Sequence, residues 1–132
     1  MTRILLIAMA ILYGLLGCWS LLAPEQVANG VHLSWHNASG RSEFLTVYGG
    51  LELGLAAGFL LGAVTPRLQA GVLAMACCSS LGLLLVRTGS MLPADPLHGV
   101  VWILFATELA LSLATGLAWW HATARRAEPK AS

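Results

Sequence analysis

Four long apolar runs, at about 4–23, 44–64, 68–90 and 97–121, are separated by short polar stretches along the chain. Each is close to the ~20 residues that a helix needs to cross the hydrocarbon layer of a bilayer. Pro24 follows the first run. Thr65-Pro66 stands between the second and third, where the pattern predicts Thr65 as N-cap and Pro66 at the first helical position. Asp95-Pro96 repeats the device before the fourth run. The connection between runs two and three is so short that their helices should be antiparallel neighbours. The pattern therefore predicts an all-α, four-transmembrane-helix antiparallel bundle forming a single membrane domain over residues 1–132. An outer loop spans 24–43 and a tail spans 122–132.

Composition strengthens this picture. Hydrophobic residues make up 58% of the 132, charged residues only 10%, and mean hydropathy is +0.77. An ordinary soluble domain carries roughly 25% charged residues, so lipid must solvate much of the surface. The net charge of +1 leaves no basic stripe to neutralise phosphates, which excludes a nucleic-acid partner. Cys18, Cys77 and Cys78 all lie inside apolar runs and form neither a disulfide framework nor a CxxC metal motif.

Arg3, Arg67, Arg125, Arg126 and Lys130 fall on one side of the four-span layout, and only Arg41 and Arg87 on the other. By the positive-inside rule both termini are expected in the cytoplasm. Trp19, Trp35 and Trp102 near one interface and Trp119-Trp120 near the other fit aromatic belts. LLGC before Trp19 has the outline of a lipoprotein cleavage box, but Leu16 fits it poorly, and the segment reads as a retained helix. Asn37-Ala38-Ser39 is a glycosylation sequon, relevant only in a eukaryotic secretory pathway. The basic tail reads as a solvated end that fixes topology.

Small residues recur every fourth position in three runs: Gly50, Gly54, Gly58 and Gly62; Ala70, Ala74, Cys78 and Gly82; Ala106, Ala110, Ala114 and Ala118. Within lipid such stripes let helix backbones approach closely. They are expected to pack the helices together, or in the case of the glycine zipper to join two copies of the chain.

Two acids interrupt the apolar runs. The stretch YGGLELG (48–54) places Glu52 ~13 Å below the outer end of the second span, and Glu108 sits ~16 Å below that of the fourth, at 1.5 Å per residue. Tyr13, Ser79, Ser80 and Thr107 fall in the same slab, Tyr48 one turn above Glu52, and His98 at the outer mouth. An intramembrane carboxylate costs at least ~2.5–3.5 kcal/mol on insertion scales. Two carboxylates facing each other would share a proton, as an acid–base pair requires; hydrogen-bonded ties between helices are the structural alternative. Glu52 and Glu108 are thus the candidate catalytic residues. Tyr48, Glu52, Glu108, His98, Tyr13 and Ser80 are the candidate ligand contacts. In the outer loop His32 and His36 with Glu43 form a weak metal candidate; two histidines without a close third ligand more often bind none. No cofactor is expected.

The stretch SEFLTVYGGLELGLAAGFLLGA (42–63), in a four-span chain with an acid in its last span, resembles a group of small bacterial four-helix membrane proteins of unknown function, loosely DoxX-like. The specific similarity rests on Glu43, Tyr48, Gly49, Gly50 and Glu108. That group often has an arginine two residues after its first glutamate; here the position holds Leu45. The resemblance implies a multi-pass protein of the bacterial inner membrane and no particular activity. Three functions follow in order. The first is a binding or accessory protein for a lipid-like or quinone-like ligand or a partner subunit, with a homodimer or larger membrane complex as possible assemblies. The second is an enzyme using the Glu52/Glu108 pair on a hydrophobic substrate. The third is a proton-coupled small-solute carrier.

Overall fold

A computed structural model describes residues 2–92 and 99–127, with side chains described through Ala124. The described residues are helical with no strand. Helix α1 is Thr2–Leu22, α2 Pro24–Gly30, α3 Ala38–Phe44, α4 Glu52–Val64, α5 Gln69–Met91 and α6 Gly99–Ala127; a π-helical segment, Leu45–Leu51, joins α3 to α4. Four helical runs are long and apolar enough to cross a membrane: Thr2–Leu22, Ala38–Val64, Gln69–Met91 and Gly99–Ala124. Leu15, Leu85, Val86 and Ile103 are each more than 60% exposed, a surface suited to lipid and costly in water.

The second span begins six residues earlier than the apolar pattern predicts. Asn37, in extended conformation, accepts a 2.9 Å hydrogen bond at Oδ1 from the Gly40 N–H and caps α3, so the polar sequence ASGRSE coils before the apolar run starts. The predicted outer loop thus contains two helices. Pro24 opens the first, α2, at a position where its missing N–H goes unneeded. Helix α2 ends with the Leu33 N–H on the Ala28 carbonyl and the left-handed residue at His32, φ 57°. That position normally favours glycine, so His32→Val is expected to cost about 1 kcal/mol more than His32→Asn, which tolerates the conformation. Chemical denaturation of the two variants checks this. The Thr65-Pro66 device also differs in detail. Residues 66–68 turn, with the Leu68 N–H on the Thr65 carbonyl, and α5 starts at Gln69 without a side-chain cap. Asp95-Pro96 lies outside the described residues.

The π-helical segment has local causes. Thr46 Oγ1 donates to the Ser42 carbonyl at 2.9 Å, and Gly49-Gly50 supplies two poor helix formers in succession. Segments of this kind widen a helix locally and frequently mark functional positions.

The chain forms two compact units, residues 6–61 and residues 1–5 with 62–132. In the first, α1 runs antiparallel to α4: Gly14 lies opposite Ala56, Gly17 opposite Leu53, and Leu21 against Gly49. Tyr13 meets Phe59 edge-on at 5.2 Å. Leu6, Met9 and Phe59 are fully buried. In the second, α5 and α6 form an antiparallel hairpin in which Arg87 meets Glu108 and Cys77 meets Gly116. The four-residue link 65–68 also brings Val72 against Gly62.

The small-residue stripes meet these contacts only in part, at Gly62 in α4 and Ala118 in α6. A Cβ placed on Gly50, Gly54 or Gly58 would meet no atom of the described residues within 4 Å; of that stripe only Gly62 is tightly packed. Helix α4 instead turns Leu53, Ala56 and Phe59 inward, on the side roughly opposite Gly50, Gly54 and Gly58. In α6 Ala106 and Ala110 are exposed, while Glu108, Ser112, Thr115 and Ala118 are buried. Phase decides this: one residue along a helix rotates the face by about 100°.

Candidate functional site

Glu108 is held by an arginine. Arg87 Nε donates to Oε2 at 2.7 Å and Nη2 to Oε1 at 2.6 Å, a two-pronged, charge-assisted pair joining α5 to α6. The Glu108 side chain is 10% exposed and that of Arg87 25%, so the pair is largely withdrawn from solvent. One turn on, Ser112 Oγ donates to the Glu108 carbonyl at 2.8 Å, and Thr115 Oγ1 donates to that of Leu111 at 2.7 Å. These hydroxyls satisfy themselves on their own helix, so they can lie buried without a partner from elsewhere. Ser80 is also buried, on α5.

This geometry corrects the expectation for Glu108. Arg87 lies four residues from the end of α5, ~6 Å along the helix. Glu108 therefore sits near one end of the hairpin as measured on α5, and both of its oxygens are engaged. A carboxylate so held is poorly placed to act as one half of a proton-sharing pair. The four-span layout counts Arg87 among the charges of the outer side. Its position inside the apolar run 68–90 was the available signal, because a basic residue there needs an acid in reach.

Glu52 is different. It lies one residue past the midpoint of the 27-residue run Ala38–Val64, directly after the π-helical segment. Its Oε2 is buried and has no hydrogen-bond partner among the described residues. Buried polar atoms are nearly always paired, and an orphan one costs about 1–3 kcal/mol. Tyr48, expected on the Glu52 face, gives its ring to Phe44, stacked at 4.7 Å and 19°, and Trp35 leans on Phe44 at 5.3 Å. This aromatic stack lines an open groove of about 450 Å³ together with His36 and Glu43. Among the described residues no three His, Cys, Asp or Glu side chains converge as metal ligands, so the candidate set His32, His36 and Glu43 gains no third partner. A second groove of similar volume is lined by Leu21, Arg41, Ser42 and Gly50. Arg41 Nε lies 3.6 Å from Glu25 Oε1 on an exposed surface. His98 lies outside the described residues.

A chain whose described residues are all helical, with four apolar helices of membrane length and lipid-suited exposed faces, is a multi-pass membrane protein. It belongs to the DUF4345 family, a domain of unknown function whose model matches residues 1–121. Neither a curated protein nor a solved structure matches the chain.

Proposed function

We propose that this chain is a binding or accessory protein of the bacterial inner membrane. In this reading Glu52 receives a polar group from a lipid-like or quinone-like ligand, or from a partner subunit, at the centre of its span. The observation that carries the reading is the buried, unpartnered Oε2 of Glu52 next to a π-helical segment. An orphan carboxylate oxygen at mid-span is a standing cost to stability, and a ligand hydroxyl or amide N–H that donates to it removes that cost. Cytoplasmic termini are part of the proposal. They are supported by the excess of Arg and Lys at Arg3, Arg67, Arg125, Arg126 and Lys130, and by the engagement of Arg87 with Glu108. The acid–base enzyme reading is weaker because Glu108, its second member, is occupied by Arg87.

The test compares wild type with Glu52→Gln and Glu52→Leu after gentle detergent extraction. Glu52→Leu is expected to melt at or above the wild-type temperature in ligand-free detergent, gaining about 1–3 kcal/mol from removal of the orphan group. It should also lose a quinone or lipid that wild type retains, as read by mass spectrometry of the extract. Identical extracts from all three proteins, with Glu52→Leu less stable than wild type, would make Glu52 a structural tie and end the proposal.

A further inference from the structure

We propose that the groove between the 33–37 loop and the α3–π junction binds the ammonium group of an organic cation. Trp35, Phe44 and Tyr48 form a contiguous aromatic cluster, with Phe44 and Tyr48 stacked at 4.7 Å and Trp35 tilted 45° against Phe44 at 5.3 Å. Phe44 is buried as the middle ring, while Tyr48 keeps 37% exposure and both outer rings line the groove. The negative faces of such rings attract a cation, most strongly one whose alkyl groups make it cheap to dehydrate. The groove's charge has the matching sign: its lining includes the Glu43 carboxylate and no lysine or arginine. Leu33 and Val47 complete it with apolar surface suited to N-alkyl groups or an attached chain.

The wall is also built to hold its shape. Asn37 fixes the start of α3 through the Gly40 N–H. Gly40 lets Trp35 settle close, since a Cβ at position 40 would lie 3.0 Å from that of Trp35. This site uses neither Glu52 nor any residue of the α5–α6 hairpin, so it stands or falls independently of the function proposed above. The same chemistry is offered by an alkylammonium lipid headgroup and by a free soluble quaternary amine.

The probe is tetramethylammonium, titrated into the detergent-solubilised full chain carrying 5-fluorotryptophan. The Trp35 ¹⁹F signal is assigned by its loss in Trp35→Phe. A saturable shift of that signal is expected. It should weaken roughly tenfold in apparent affinity in Glu43→Gln and in Tyr48→Leu, and stay unchanged in Glu25→Gln, which removes a carboxylate from outside the groove. The neutral isostere tert-butanol should give no saturable shift. Repeating the titration in phosphatidylcholine and phosphatidylglycerol nanodiscs separates the two sources. Competition only by the choline lipid identifies a headgroup site, and equal binding in both identifies a soluble cation; either result supports the ammonium chemistry. A linear, unsaturable response, an equal response to tert-butanol, or indifference to Glu43→Gln and Tyr48→Leu together would overturn the proposal.

Discussion

Replacing Arg87 with methionine is expected to lower stability by about 3–5 kcal/mol, the largest single effect in the molecule. The methionine fills most of the arginine's volume but leaves the Glu108 carboxylate, 10% exposed, without the two donors that hold it. The penalty lies mainly in the stranded acid, and this has a consequence that a simple count of lost hydrogen bonds does not. Glu108→Leu combined with Arg87→Met should recover most of the loss, because neither side then carries an uncompensated polar group into the apolar layer. Arg87→Lys should fall between, keeping the charge but not the planar two-pronged geometry. Unfolding by titration with a denaturing detergent, run as a double-mutant cycle, measures the coupling directly. If Arg87→Met unfolds like wild type, the pair does not tie α5 to α6.

The second large effect separates two glycine patterns. Gly17→Val is expected to cost about 1–3 kcal/mol through overpacking. A Cβ there would already lie 2.9 Å from Leu53 Cγ and 3.1 Å from the Gly49 carbonyl oxygen, and a backbone atom cannot rotate away. Gly54→Ala and Gly58→Ala place a Cβ within 4 Å of no atom among the described residues and should be neutral or stabilising by up to about 1 kcal/mol, from the better helix propensity of alanine. Melting curves of the three variants at low protein concentration decide it. If Gly54→Ala destabilises at high concentration and not at low, the open stripe packs against a second copy of the chain. If Gly17→Val is neutral, the α1–α4 approach is not as close as its geometry states.

The number, kind and rough limits of the spanning helices were written in the sequence. Lipid as a solvent selects for uninterrupted apolar runs near twenty residues, and only a helix satisfies its own backbone there. Pro24 and the short link at 65–68 fixed the ends of elements for reasons equally local. The exception at the second span is instructive. Asn37 and the Gly40 N–H make a cap ahead of the apolar run, and hydropathy does not register a cap. Glu52 was legible as exceptional because any acid is expensive at mid-span.

What only the tertiary structure decided was phase and partnership. The four-residue glycine period in α4 marks a face, but it does not say whether that face or the opposite one meets α1; Leu53, Ala56 and Phe59 do. Likewise, Glu108 was a visible acid and Arg87 a visible base, twenty-one residues apart. Only the antiparallel register of α5 and α6 puts the guanidinium on that carboxylate, while the Glu52 oxygen finds no partner among the described residues. Sequence sets what each side chain costs to bury. Which neighbour meets that cost depends on how the helices are turned about their own axes, a property of packing between distant segments that no local pattern encodes.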